Sequence, residues 1–360
     1  MKGAEVAWRT LALERLEEPC IVGSWIMKGD YYTRIVGRDY WSDKENVYAE
    51  ALLRLGINLC PQWVMPQDRM GNAGVVYDYW SNRLGLQQPE QILPLIEALP
   101  SDEQLEREFD LEGEAKAVAD TIAQHSNMTS GEVLFIPYLA LPDFMGPYNE
   151  WGYVPYLSAL ALYPEHIRRY YHHMATKAHL QHLAVARAVE RYGVAPFIYG
   201  GDDICDNAGP LCSVATLERL YFPELRRALA PLIANDIRII WHCDGNVLPI
   251  LPSLIEIGVS GLQGFQEEAG VDFAKLVPLK SRWGRPLILW GCVSVTTTLP
   301  FGSPEDVRAA VRRSYQLAGP GRGFGLASTS SIMPEVPDEN IDALYLYGRE
   351  YGRKFLRGEG

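Results

Sequence analysis

A (β/α)8 barrel is the fold this sequence predicts, on three observations. Eight short apolar runs, rich in β-branched and aromatic residues, recur along the 360-residue chain. Segments of helical period separate most of them, and strand alternating with helix is the pattern of a parallel sheet wrapped by helices. No GxGxxG turn is present, which speaks against an open doubly wound sheet.

The eight runs are residues 20–25, 57–63, 133–140, 196–200, 237–241, 261–265, 286–290 and 323–327. Residues 164–192 have the apolar spacing of a long amphipathic helix, and 216–234, 248–257 and 304–317 follow the same logic. Ser303-Pro304-Glu305-Asp306 is a helix start: a capping serine, proline at the first position and acids in the first turn. Between the second and third runs, about 77–130 is expected to be a helical insertion, acidic over 103–123. No Gly/Ser-rich linker divides the chain, so residues 1–360 are expected to form one domain.

The composition narrows the class of partner. With 33 basic and 45 acidic side chains the net charge is −12, which disfavours nucleic acid and anionic membrane surfaces. The chain is 48% apolar and 22% charged, ordinary for a globular enzyme. The N-terminus lacks a secretory signal pattern and no run is long enough to span a bilayer, so a cytoplasmic location is expected. The six cysteines are scattered without a CxxC pair, as buried thiols or site residues are, and not as a disulfide framework.

Barrel chemistry belongs at the C-terminal ends of the strands. Asp202 and Asp203 follow the fourth run, His242-Cys243-Asp244 the fifth, Glu267 and Glu268 the sixth, Cys292 the seventh, and residues 328–331 the eighth. The bland alternatives are a loop or helix cap for each Asp and a satisfied buried histidine for His242. Because side chains alternate along an extended segment, His242 and Asp244 share one face while Cys243 points the other way. His and Asp two residues apart can ligate a divalent metal or form an oriented acid–base pair. His172, His173, His179 and His182 resemble a metal cluster but sit mid-helix, where a solvated or interface face is expected.

Four stretches carry a family resemblance: GGDDICDNAGPLCSVATLERLYFPELR from Gly200, WHCDGNVLPILPSLIEIGVSGLQ from Trp241, FGSPEDVRAAV from Phe301 and GFGLASTSSIMPEVPDEN from Gly323. A looser match runs through VPYLSALALYPEHIRRYYHHM. In this order they resemble the uroporphyrinogen decarboxylase superfamily, and most closely its branch of corrinoid-dependent methyltransferases. The resemblance implies a (β/α)8 barrel. In the decarboxylases an arginine-rich loop after the first strand grips the substrate's carboxylates; here Lys28 stands at one arginine, the other is lost, and Arg34 and Arg38 lie nearby. Pro61 falls where the decarboxylases carry a catalytic Asp. The zinc-dependent methyltransferases use His-x-Cys after the fifth strand and a second Cys after the eighth; here Asp244 and Ser330 stand at the two cysteines. Oxygen ligands in place of soft thiolates lower the expected affinity for zinc.

The resemblance therefore implies a methyltransferase component that moves a methyl group between a small methylated substrate and a corrinoid carried by a partner protein. His242 and Asp244 are expected to polarise the substrate heteroatom, and Asp202 and Asp203 to position the substrate. Trp25, Trp63, Tyr138, Trp241, Glu267 and Ser330 are candidate substrate contacts. His242, Asp244 and Glu267 are candidate ligands for a divalent metal such as zinc, and a homodimer is the assembly to look for. The alternatives are decarboxylation of a porphyrinogen and a non-catalytic subunit that binds a corrinoid protein.

Overall fold

The computed structural model describes residues 1–23, 25–72 and 82–359. Ser24, within the first expected strand, and residues 77–81, the start of the expected helical insertion, lie outside the described residues. Each of the eight apolar runs contributes a strand: Cys20–Ile21 (β1), Leu59–Cys60 (β2), Leu134–Phe135 (β3), Phe197–Gly201 (β4), Arg238–His242 (β5), Val259–Gln263 (β6), Ile288–Val293 (β7) and Phe324–Ser328 (β8). The interiors of β4 to β8 are buried nearly without interruption. That is why they read as continuous apolar runs instead of alternating ones.

The chain divides into two compact units. The first comprises Met1–Val76, Asp120–Pro137 and Ser260–Gly360. Its strands are parallel: β3 pairs with β2, Val22 bridges to Leu59, β1 pairs with β8, β8 with β7, and β7 with β6. Cys292 lies inside β7 and is buried, and not beyond the strand end as expected from sequence. The helix Pro304–Ala318 starts where the sequence predicts, with Ser303 and Asp306 closing a reciprocal capping box.

The second unit comprises Tyr77–Ala119 and Tyr138–Val259. Here β4 and β5 pair in parallel over five residue pairs, ending at Gly201 opposite His242. A parallel bridge sets Tyr138 beside Tyr199. The expected helix 216–234 is two helices, Val214–Leu220 and Phe222–Ala234, because Pro223 begins the second. A short antiparallel ribbon, Cys205–Asp206 against Gly209–Pro210, has no counterpart in the sequence reading. Between β2 and β3 the described residues form helices at Leu93–Glu97, Asp102–Glu108 and Leu111–Met128. No helix among the described residues is long and apolar enough to cross a membrane.

The long helix Pro164–Tyr192 packs on Phe222–Ala234 through histidines. Pro231 sits inside the latter helix and has no N–H, so the Arg227 carbonyl loses its intrahelical partner. His179 Nδ1 takes that carbonyl at 2.9 Å. His182 Nδ1 donates to the next carbonyl, Ala228, at 2.7 Å, and its Nε2 accepts the Ala140 N–H at 3.2 Å. His182 is fully buried, and His173 is buried against the Pro100 carbonyl. Of the solvated or interface face the sequence suggests, these two take the interface alternative. His172 alone is well exposed, between Asp102 and Glu224.

Candidate functional site

The second unit gathers three polar side chains at the ends of β4 and β5. Gly201 makes this approach feasible: a Cβ there would lie 1.8 Å from the His242 carbonyl oxygen. Only glycine lets the two strand ends run so close. Asp203, two residues past β4, then reaches β5: its Oδ1 accepts the Asp244 N–H at 2.8 Å and lies 3.6 Å from His242 Nε2. Asp244 Oδ1 lies 3.9 Å from the same nitrogen. One donor atom from each of Asp203, His242 and Asp244 falls within 4.8 Å of the others. Gly245, at φ +77°, turns the chain away, and Asn246 donates to the Asp206 carbonyl at 2.8 Å, fixing the loop after Asp244.

Aromatic residues border the cluster. The Tyr199 ring lies 6.2 Å from the His242 ring, and Tyr138, which is exposed, meets Tyr199 edge-on at 6.1 Å. Burial above all, and then Tyr138 and the Asp244 and Asp203 carboxylates, hold the Tyr199 phenol well above its ordinary pKa. Sequence reading missed Tyr199, which sits inside an apolar strand and carries no motif.

Strand alternation separates the neighbours. Trp241 and Cys243 are buried, while His242 and Asp244 are partly exposed. Trp241 has no exposed surface, which removes it as a substrate contact in this structure. Cys243 donates its thiol to the Asp244 carbonyl at 3.2 Å. A hydrogen bond with the Cys205 thiol and burial hold it well above the usual thiol pKa.

Asp202 departs from the expected role. It is buried, and its carboxylate accepts the Phe144 N–H at 2.8 Å, the Met145 N–H at 3.2 Å and the Tyr221 hydroxyl at 2.7 Å. Burial first, then the nearby Asp143, raise its pKa to about 7 against those hydrogen bonds. These partners give it a structural role: it ties the start of the helix Gly146–Trp151 to the end of β4. Asp143 beside it accepts from the Gly146 N–H and the Tyr170 hydroxyl.

The remaining candidates belong to the first unit. Arg313 binds both oxygens of Glu267, at 2.6 and 2.8 Å, and the Phe273 N–H donates to one of them. Glu267 is thus held in an ion pair. Trp63 stacks on His125 at 4.5 Å. Trp25 is half-buried and gives its carbonyl to the Ile332 N–H at 2.9 Å, and Ser330 is half-buried and accepts the Ser328 hydroxyl through its carbonyl at 2.8 Å. The basic residues after β1 are engaged too. Lys28 pairs with Asp338 at 2.7 Å, Arg34 with Asp338 and Asp342 at 2.8 Å each, and Arg38 with Asp43 and Glu50.

Residues 174–351 match the family of uroporphyrinogen decarboxylase (URO-D). Over this stretch the chain is similar to the URO-D superfamily. Among solved structures, a methyltransferase from Methanosarcina mazei shares the fold of this chain at 16% sequence identity, over 98% of this chain and 99% of that chain, with a TM-score of 0.64. No curated protein matches the sequence. In the zinc-dependent branch that the sequence resembles, two thiolates hold the metal. Asp244 and Ser330 occupy those positions here, and the neighbouring Cys243 thiol is buried and turned to Cys205 and the Asp244 carbonyl. This donor set does not fit a thiolate zinc centre.

Proposed function

We propose that this protein is a methyltransferase component, moving a methyl group between a small methylated substrate and a corrinoid carried by a partner protein. The proposal takes the eight parallel strands as the (β/α)8 barrel of the superfamily, with its chemistry at the C-terminal strand ends. The observation that carries it is the cluster of Asp203, His242 and Asp244 at the ends of β4 and β5. The corrinoid would supply the nucleophile that accepts the methyl carbon. When the bond from methyl to heteroatom breaks, the heteroatom keeps the electron pair and needs a proton or a positive charge. His242 Nε2, with carboxylate oxygens at 3.6 and 3.9 Å, is placed to deliver that proton or, together with the two carboxylates, to hold a cation that supplies the positive charge. Asp203 and Asp244 steady the imidazole as it changes charge. Of the two aromatic residues bordering the cluster, Tyr199 is buried and Tyr138 is exposed, so Tyr138 is the one to pack on the substrate.

Decarboxylation of a porphyrinogen finds less support. Pro61 offers no carboxylate where the decarboxylases act, and Lys28, Arg34 and Arg38 already pair with acids of their own unit. A substrate rich in carboxylates would have to displace those pairs. The test is a panel of methylated amines, thiols and ethers with cob(I)alamin as acceptor, beside uroporphyrinogen in a parallel assay. Methylation of the corrinoid by one of the panel is expected. Turnover of uroporphyrinogen alone would overturn the proposal.

A further inference from the structure

We propose that Asp203, His242 and Asp244 bind a divalent cation through oxygen and nitrogen alone. The inference rests on the proposed function for the role of the site, while cation binding itself is read without turnover.

Three features point to it. First, the donors converge from two strands. Asp203 comes from the end of β4, His242 and Asp244 from β5, and one atom of each lies within 4.8 Å of the others. That spacing lets a single ion of ordinary radius reach all three after small side-chain rotations, since metal–oxygen and metal–nitrogen bonds are about 2.0–2.2 Å long. Second, the convergence is built by the backbone. The close approach at Gly201 sets the separation of the strand ends, and the Asp244 N–H holds one Asp203 oxygen at 2.8 Å. Such a second hydrogen bond orients a ligating carboxylate before the ion arrives. Third, charge and exposure suit an ion with open positions. Two carboxylates face one imidazole, and the three side chains are 17–33% exposed, so solvent or substrate can complete the shell.

The thiol between His242 and Asp244 in the chain cannot join this set without leaving its place. Cys243 is buried and its Sγ lies 3.2 Å from the Asp244 carbonyl oxygen. Glu267, the acid the sequence suggested as third ligand, is bound to Arg313 at both oxygens. The ion is therefore one that accepts hard and borderline donors, of the Mn2+, Fe2+ or Co2+ class, in place of a sulfur-ligated zinc.

The experiment uses the purified full chain, stripped with chelator and titrated with Mn2+, followed by the loss of the free-ion electron paramagnetic resonance signal, and separately with Co2+. One equivalent of Mn2+ per chain is expected, and a Co2+ spectrum without a sulfur-to-cobalt charge-transfer band. Asp203→Asn is expected to weaken Mn2+ binding by at least about tenfold. His242→Gln, on the other strand, should do the same, so a folding defect in one variant leaves the other to decide. Glu267→Gln should leave the affinity unchanged. Absence of stoichiometric binding, a sulfur-to-cobalt band, or Mn2+ affinity untouched in both Asp203→Asn and His242→Gln would overturn the inference. Methyl transfer by a protein that binds no cation would overturn it while leaving the proposed function standing.

Discussion

Replacing His182 by leucine should destabilise the protein by an amount that depends on pH. The side chain is fully buried and makes two hydrogen bonds, donating to the Ala228 carbonyl and accepting from the Ala140 N–H. Leucine fills similar space but leaves the Ala140 N–H unsatisfied, at about 1–3 kcal/mol, and removes the bond to Ala228, at about 1 kcal/mol. Near pH 7.5 the loss should therefore be about 2–4 kcal/mol. Burial is the main cause that lowers the pKa of His182 to about 4, from an ordinary value of 6.5. The unfolded chain takes up a proton near pH 6.5 that the folded chain refuses until about pH 4. Folding stability is thus intact above pH 6.5 and declines as pH falls through that window, by on the order of 3 kcal/mol in all. His182→Leu has no such decline, so its deficit against the parent should shrink towards zero by pH 4.5. Urea unfolding of both proteins at pH 7.5 and pH 4.5, followed by tryptophan fluorescence, measures this. An equal deficit at both pH values would refute the neutral, braced imidazole, and no deficit at pH 7.5 would refute the hydrogen-bond account.

Other expectations follow from the same structure. Asp202 has a raised pKa, so the folded state holds its proton more tightly than the unfolded chain, and this group's contribution to stability falls as pH rises from about 4 to about 7. Asp202→Asn should remove that slope, narrowing its stability deficit between pH 5 and pH 8 by about 3 kcal/mol in thermal melts. Cys243→Ser should keep methyl transfer, because the thiol faces away from the cluster, while costing about 1–2 kcal/mol of stability for burying a hydroxyl; kcat/KM and Tm of the variant check the two halves. Arg34→Ala breaks half-exposed pairs with Asp338 and Asp342 and should cost only about 1 kcal/mol by chemical unfolding.

The strands were legible because parallel strands buried on both faces leave uninterrupted apolar runs, and the His242–Asp244 pairing because strand side chains alternate. What the sequence left open depends on distant partners. Adjacent Asp202 and Asp203 look alike in the chain, yet one turns to Tyr221 and the 144–145 amides while the other meets Asp244 and His242. Glu267 reads as an available acid, but Arg313, 46 residues on, holds it. The choice between a solvated and an interface role for the helix histidines was open in sequence because their partners are distant: His179 takes the Arg227 carbonyl that Pro231 leaves free, His182 the Ala228 carbonyl and His173 the Pro100 carbonyl. Tyr199 carried no signal at all, since an aromatic residue within a strand reads first as core.

The central claim is that His242, between Asp203 and Asp244, drives the transfer of a methyl group. It is tested most directly by comparing the parent protein with His242→Ala in methylation of cob(I)alamin by the best compound of the methylated panel, with folding verified by circular dichroism. His242 lies at a strand end and is partly exposed, so its truncation should leave the fold intact. The account predicts a fall in kcat/KM of at least about 100-fold, the range a positioned acid or base contributes. Full methyl transfer by a folded His242→Ala protein would contradict it.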